Sequence, residues 1–96
     1  MIIDSELKVP GGKLIKARLE IQGNYIQTIL LTGDFFLHPE DAIFEVESSL
    51  IGSSTDLANI KEKLEKALKK KDARLLGVSP DDFINVIKKA LDQAVS

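Results

Sequence analysis

The sequence feature that most constrains the fold is a change in hydrophobic period about one third of the way along the chain. In residues 15–21 every second residue is apolar, and charged side chains fill the positions between them. A period of two is typical of a β-strand with one buried and one exposed face. After Gly33, apolar residues recur every three or four positions, which is the spacing of an amphipathic helix. The sequence therefore predicts strands first and helices afterwards.

Turn residues divide the first third of the chain into three strands. Gly23-Asn24 supplies a two-residue turn with glycine first, as a type II′ hairpin requires. Pro10-Gly11 follows a short alternating segment, residues 6–9, and suits a type II turn. Together these two turns predict an antiparallel meander of three strands.

The outer face of the third strand is unusually apolar. A regular register that starts by pairing Gln22 with Tyr25 places Ile29 and Leu31 on the side of the sheet away from the core. Such side chains are covered either by long polar stems and the chain's own helices or by a partner protein. Ile29 and Leu31 are therefore candidate interface residues.

Three helices are predicted to follow the strands. Proline suits a first helical position, so the first helix is expected to begin at Pro39 and to close at Gly52. Residues 53–55 offer a cap for a second helix that runs to about residue 71. Ser79-Pro80 begins a third helix. Strands followed by helices predict the α+β class, with the three helices packed on one face of the antiparallel sheet.

The composition excludes several classes of function. The 96 residues, 44% hydrophobic and 29% charged, fit a single globular domain over residues 1–96. No apolar run is long enough for a transmembrane helix, and the N-terminus does not resemble a secretory signal. A net charge of −2 lacks the strongly basic balance of a nucleic-acid binder. We therefore expect a cytoplasmic protein that binds neither membranes nor nucleic acids.

The sequence offers few reactive side chains. With no cysteine there is no thiolate nucleophile and no thiolate metal site. His38 is the one histidine, and it suits a cap or surface position better than a metal site or a catalytic base. The basic run in residues 61–74 is typical of the solvated face of a helix. We expect no catalytic residues and no metal, and a domain that acts with a partner.

Two short segments are candidates for a binding site. Gly11, Gly12 and Lys13 present backbone amides and an ammonium group that an anion could bind, although the residues alone favour a plain hairpin turn. They do not form the phosphate-binding loop of nucleotide hydrolases, because Lys13 opens a strand and not a helix.

The second segment, Gly33-Asp34-Phe35-Phe36, joins the strands to the first helix. Gly33 is expected in a conformation that other residues avoid, and the Asp34 carboxylate is expected to accept from nearby backbone amides. Two neighbouring rings in an extended segment cannot easily both point inward. Either one of Phe35 and Phe36 covers the core while the other lies at a groove or interface, or both are partly buried.

In combination, residues 8–14 and residues 32–36 resemble the accessory domain of lipoate–protein ligases. That domain is the C-terminal part of single-chain bacterial ligases and a separate small subunit in some archaea and bacteria. The resemblance covers nearly the whole chain. It implies a non-catalytic subunit that binds a large catalytic subunit and is inactive alone.

The resemblance also implies the chemistry of the complex. The large subunit would hold ATP with Mg²⁺ and lipoate, form lipoyl-AMP, and transfer the lipoyl group to a lysine of a lipoyl carrier domain, while the small subunit binds no cofactor alone. Gly11, Gly12 and Lys13 would face the partner's active site, and Gly33, Asp34, Phe35 and Phe36 would form an interface or a structural junction. The alternative is a stand-alone binding or scaffold module of the same fold with another client.

Overall fold

The order of strands and helices follows the predicted change of period. The computed structural model of the chain describes residues 1–11 and 13–94. Within these residues the chain forms β1 (Ile2–Lys8), β2 (Leu14–Gln22), β3 (Tyr25–Gly33), β4 (Phe36–His38), α1 (Ala42–Leu50), α2 (Leu57–Lys70), β5 (Arg74–Leu76) and α3 (Pro80–Ala94). The first three strands form an antiparallel sheet in the order β1-β2-β3, which confirms the predicted meander.

The helices cover one face of this sheet, as the α+β prediction requires. Helices α1 and α3 contact the strands directly, and α2 packs against both of these helices. The core lies between the two layers, and it includes Ile15 and Leu19 from β2, Leu64 from α2 and Ile87 from α3. No helix in the described part of the chain is long and apolar enough to cross a membrane.

The pairing of β2 with β3 contains a β-bulge that the sequence did not predict. Gln22 pairs with Tyr25 as expected, but the register shifts at the next positions, and Glu20 pairs with Thr28. Gln27 is the extra residue of the bulge. Because side chains alternate between the two faces of a strand, one inserted residue reverses which positions of β3 face the core.

The bulge overturns the predicted outward position of Ile29 and Leu31. These side chains are only 7% and 3% exposed and belong to the core. Leu30, which is 50% exposed, lies on the outer face in their place, opposite Arg18. The prediction that Ile29 and Leu31 form a partner interface is therefore wrong, since neither side chain reaches the surface.

Two of the three predicted helix starts are displaced. Residues 39–41 form a turn after β4, and α1 begins at Ala42 instead of Pro39. Helix α2 is capped by Asp56, whose carboxylate accepts from the Ala58 amide at 3.4 Å, and not by residues 53–55. The start of α3 at Pro80 is confirmed.

A second, two-stranded sheet was not predicted. Strands β4 and β5 pair antiparallel, with Phe36 opposite Leu76, Leu37 opposite Leu75 and His38 opposite Arg74. Each strand has only three residues, which is too short for an alternating pattern to be recognised. The sheet joins the segment before α1 to the segment before α3, and we refer to it as the ribbon.

Candidate partner-binding site

Three connections of the chain meet at one end of the molecule. The backbone amide of Asp34 donates to the Leu14 carbonyl at 2.8 Å, which joins the β3–β4 connection to the start of β2. A Cβ on Gly77, in the β5–α3 connection, would lie 3.7 Å from the Asp34 carbonyl oxygen and 3.8 Å from Cε of Lys13. The two segments singled out from the sequence are therefore neighbours. We call this region together with the adjoining ribbon, residues 11–14, 33–38 and 74–77 as far as the structure describes them, the junction end.

The β1–β2 connection is a tight turn. The Val9 amide donates to the Lys13 carbonyl at 2.8 Å, and Gly11 has a positive φ of 95°, as the predicted turn requires. Lys13 is exposed, and it forms no ion pair with any carboxylate of the described residues. Gly12 lies outside the described residues. An amide-lined anion site at this turn remains a prediction.

Gly33 occupies a position that only glycine can fill. Its φ is +146°, a conformation that L side chains rarely adopt. A Cβ at this position would overlap the Leu14 carbonyl oxygen and would lie 2.7 Å from Cα of Ile15. The predicted special conformation of Gly33 is confirmed, and its cause is the close approach of the β2 backbone.

Asp34 contributes to the junction end through its backbone. The expected hydrogen bond from a backbone amide to its carboxylate is absent among the described residues, so that prediction is wrong. The amide of Asp34 donates to Leu14 instead, and it extends the β2–β3 pairing by one bond. The Asp34 side chain is exposed.

The two adjacent phenylalanines have different environments. The Phe35 ring is partly buried against the core and meets the Phe83 ring edge to face, with centroids 5.1 Å apart. The Phe36 side chain is 73% exposed. One ring therefore packs on the core and the other is exposed, and a position of Phe36 at a groove or interface remains a prediction.

The sequence-based reasoning missed Leu76 and Arg74. Leu76 is 67% exposed and pairs with Phe36 across the ribbon, and exposed Arg74 pairs with His38 in the same way. The available signal was Leu75-Leu76 directly before Gly77, a short apolar pair outside any helical pattern. The ribbon thus adds an apolar pair and a cation to the junction end.

The ion pairs that shift pKa values lie elsewhere. On the outer face of the sheet, Arg18 donates to the Asp4 carboxylate at 2.7 and 3.2 Å, and this hydrogen bond lowers the pKa of Asp4. Between α1 and α2, the hydrogen bond from Lys70 lowers the pKa of Glu45. Both pairs are at the surface and connect secondary-structure elements, so we interpret them as structural.

The junction end presents side chains that suit binding to a partner. It offers the exposed Phe36 ring, one exposed leucine, the Lys13 ammonium and the Arg74 guanidinium. Among residues 1–11 and 13–94, no three histidine or acidic side chains are grouped so that they could hold a metal ion. His38 lies exposed on β4, in agreement with the surface position expected for it.

The three comparisons with known proteins all find similarity to lipoate–protein ligases. A family model described as the bacterial lipoate protein ligase C-terminus matches residues 3–87. Over 88 residues the chain is 36% identical to lipoate-protein ligase A subunit 2 of Thermoplasma acidophilum, and the match covers 92% of this chain and 89% of that protein. In the solved structure of an archaeal bipartite lipoate protein ligase and its E2 lipoyl domain, also from Thermoplasma acidophilum, one chain matches with a TM-score of 0.79 and 33% identity. That match covers 91% of this chain and 94% of the other.

Proposed function

Since the chain belongs to the family of the lipoate–protein ligase C-terminal domain, we propose that it is the non-catalytic subunit of a two-subunit lipoate–protein ligase. The main support for the proposal is that this chain is similar to a protein that is itself a second ligase subunit. The match covers 89% of that protein's length. The chain would bind a separate catalytic subunit and enable it to form lipoyl-AMP.

The proposal divides the reaction between the two subunits. The catalytic subunit would hold lipoate and ATP with Mg²⁺, and the lipoate carboxylate would attack the α-phosphate of ATP with release of pyrophosphate. A lysine amine of a lipoyl carrier domain would then attack the carbonyl of lipoyl-AMP and release AMP. The accessory chain supplies neither nucleophile nor leaving group, and it would act by ordering the partner's active-site loops in the adenylation step. Carrier domains would meet it only indirectly, in the cytoplasm.

Lys13 is the side chain of the junction end best suited to assist that step. Lys13 is exposed directly before β2, and its stem lies close to the β5–α3 connection, because a Cβ placed on Gly77 would be 3.8 Å from Cε of Lys13. A cation placed near the reacting phosphates stabilises the negative charge that they carry in the transition state. We assign this role to Lys13 within the complex.

The two half-reactions test the proposal separately. Adenylation is measured as lipoate-dependent exchange of labelled pyrophosphate into ATP by the catalytic subunit, with and without the chain. Transfer is measured from preformed lipoyl-AMP to a purified carrier domain. We expect a strong dependence of adenylation on the chain and a much smaller dependence of transfer.

A different result would identify the alternative function. If the catalytic subunit forms lipoyl-AMP equally fast without the chain, and no complex is detected by size-exclusion chromatography, the proposal is wrong. The chain would then be a binding module of the same fold with another client.

A further inference from the structure

We propose that the outward face of the ribbon is the surface on which the catalytic subunit docks, and that it fits an apolar pocket bordered by carboxylates. We call this surface the ribbon face, and it consists of Phe36, His38, Arg74 and Leu76. The inference rests on the proposed function, because it assigns the partner of that function to one surface.

The ribbon face is a compact group of side chains. Residues two apart on a strand point to the same side of a sheet, and directly opposed residues are neighbours. Phe36 and Leu76 are therefore adjacent, at 73% and 67% exposure, and His38 and Arg74 form the next cross-strand pair. The face presents an apolar half beside a polar, cationic half.

Leaving this apolar pair in water is costly. Burying side chains of this size is favourable relative to leaving them exposed, because the hydrophobic free energy grows with the apolar area removed from water. Other large exposed side chains, such as Leu30 on the sheet and Phe44 on α1, lie on other elements, whereas Phe36 and Leu76 are directly opposite each other. Aromatic residues and arginine are enriched in protein–protein interfaces, so an exposed phenylalanine on the same face as an arginine favours an interface here.

The positive charge of Arg74, on the same face as Phe36 and Leu76, indicates which kind of side chain the partner presents. Arg74 is exposed and has no ion-pair partner among the described residues, whereas Arg18, Lys70 and Lys88 each pair with a carboxylate of this chain. A carboxylate on the partner would supply the missing counter-charge and orient the approach. The partner surface is therefore expected to be apolar where it meets Phe36 and acidic where it meets Arg74.

The ribbon is held in place for docking. The opposite side of β4 and β5 consists of Leu37, which is buried, and Leu75, which packs on the core. Phe35, directly before β4, is fixed against Phe83. A face that is already ordered loses little conformational entropy on binding. Gly77 follows Leu76, and a Cβ placed on Gly77 would lie 3.8 Å from Cε of Lys13, so docking here also brings Lys13 towards the partner.

Matched alanine variants test the apolar half. Phe36→Ala and Leu76→Ala remove side chains of the ribbon face, and Phe44→Ala and Leu30→Ala remove the same side-chain types at exposed sites elsewhere. The affinity of each folded variant for the catalytic subunit is measured by isothermal titration calorimetry. We expect each ribbon variant to weaken binding by about tenfold or more and each control to change it by less than about twofold.

A charge reversal tests the cationic half. Arg74→Glu is compared with Lys66→Glu, which changes an exposed cation of α2 that forms no ion pair within residues 1–11 and 13–94. We expect Arg74→Glu to slow association strongly and to weaken its dependence on salt, with little effect of Lys66→Glu.

The outcomes separate this inference from the proposed function. If the unsubstituted chain does not bind the catalytic subunit, the proposed function fails, and the docking surface fails with it. If it binds, and the ribbon variants bind as tightly as the controls, only the ribbon face is overturned. If Phe36→Ala instead abolishes a dimer of the isolated chain in sedimentation velocity while binding is unchanged, the occupant is a second copy, and the inference is again wrong.

Discussion

The Glu47 carboxylate of α1 accepts a hydrogen bond of 2.8 Å from the backbone amide of Leu31 in β3. β3 is an edge strand of the three-stranded sheet, and unpaired edge amides are a template for aggregation. Beyond α1, the Gly52 amide donates to the Ile26 carbonyl at 2.7 Å, and Ile26 donates to Ser53 at 2.8 Å. Helix α1 and the segment after it therefore close the edge that the hairpin leaves open.

Glu47→Ala is expected to destabilise the protein measurably. It leaves the Leu31 amide, which is part-buried, without its charged acceptor, a loss of about 1–3 kcal/mol in the free energy of unfolding. Glu47→Gln is the control, because its amide oxygen can still accept and its loss should be smaller. Urea denaturation of the three proteins measures the difference, and equal stabilities of the alanine variant and the parent would contradict the assignment.

Gly33→Ala is expected to be among the most damaging small substitutions in the chain. The new methyl group would overlap the Leu14 carbonyl oxygen at a φ of +146°, so the strands must separate locally. The expected loss is at least about 2 kcal/mol in the free energy of unfolding. Gly23→Ala is the matched control, because its φ is +61° and no atom lies within 4 Å of its Cβ position. A similar loss for both variants, measured by thermal denaturation, would show that conformation alone and not the close contact determines the effect.

Acid is expected to weaken the α1–α2 contact. The 2.7 Å hydrogen bond from Lys70 lowers the pKa of Glu45, so the folded state favours the ionised carboxylate. Stability from this pair is present above the unfolded pKa of about 4.3 and is lost as the pH falls through the lower, folded value.

The Glu45→Gln variant isolates this contribution. We expect its urea midpoint to fall less than that of the parent between pH 7 and pH 3. Glu62→Gln, which removes an exposed carboxylate without an ion pair among the described residues, should follow the parent. An identical fall for all three proteins would mean that the pair does not stabilise the fold.

Much of the architecture can be predicted from local patterns in the sequence. The strict alternation in residues 15–21 and the turn at Gly23-Asn24 determine the hairpin, and Ser79-Pro80 with acids behind it determines the start of α3. In the structure Asp82 accepts from the Ser79 amide at 2.8 Å and from its hydroxyl at 3.2 Å. Such signals succeed because the residues that cause the structure are neighbours in sequence.

The predictions fail where the local structure depends on residues that are far apart in the sequence. Residues 29–31 are apolar at both odd and even positions, so the pattern does not show that Gln27 is a bulge or which face of β3 is buried. The ribbon depends on β4 and β5, which are separated by two helices and are too short to be recognised alone. The sequence therefore indicated the special conformation of Gly33, but it did not show which of Phe35 and Phe36 is exposed, and it could not place Leu76 opposite Phe36 or Arg74 opposite His38.

Lys13→Ala provides a direct test of the role assigned to Lys13. Because the ribbon face and not Lys13 is assigned to docking, the variant should bind the catalytic subunit with nearly unchanged affinity. The proposed stabilisation of phosphate charge would be lost, and we expect adenylation to fall by about tenfold or more. Lys16→Ala, on the outer face of β2, is the control and should leave both properties unchanged.

Measuring the two half-reactions separately shows which step Lys13 assists. The loss should appear in pyrophosphate exchange and not in transfer from preformed lipoyl-AMP, because the charge that Lys13 would stabilise develops only when pyrophosphate leaves. Lys13→Arg should retain part of the adenylation rate, since it keeps the cation with a different shape. Unchanged binding together with unchanged adenylation in Lys13→Ala would eliminate the role of Lys13 without affecting the ribbon face. Weakened binding would instead place Lys13 inside the docking surface, next to Leu76 and Gly77.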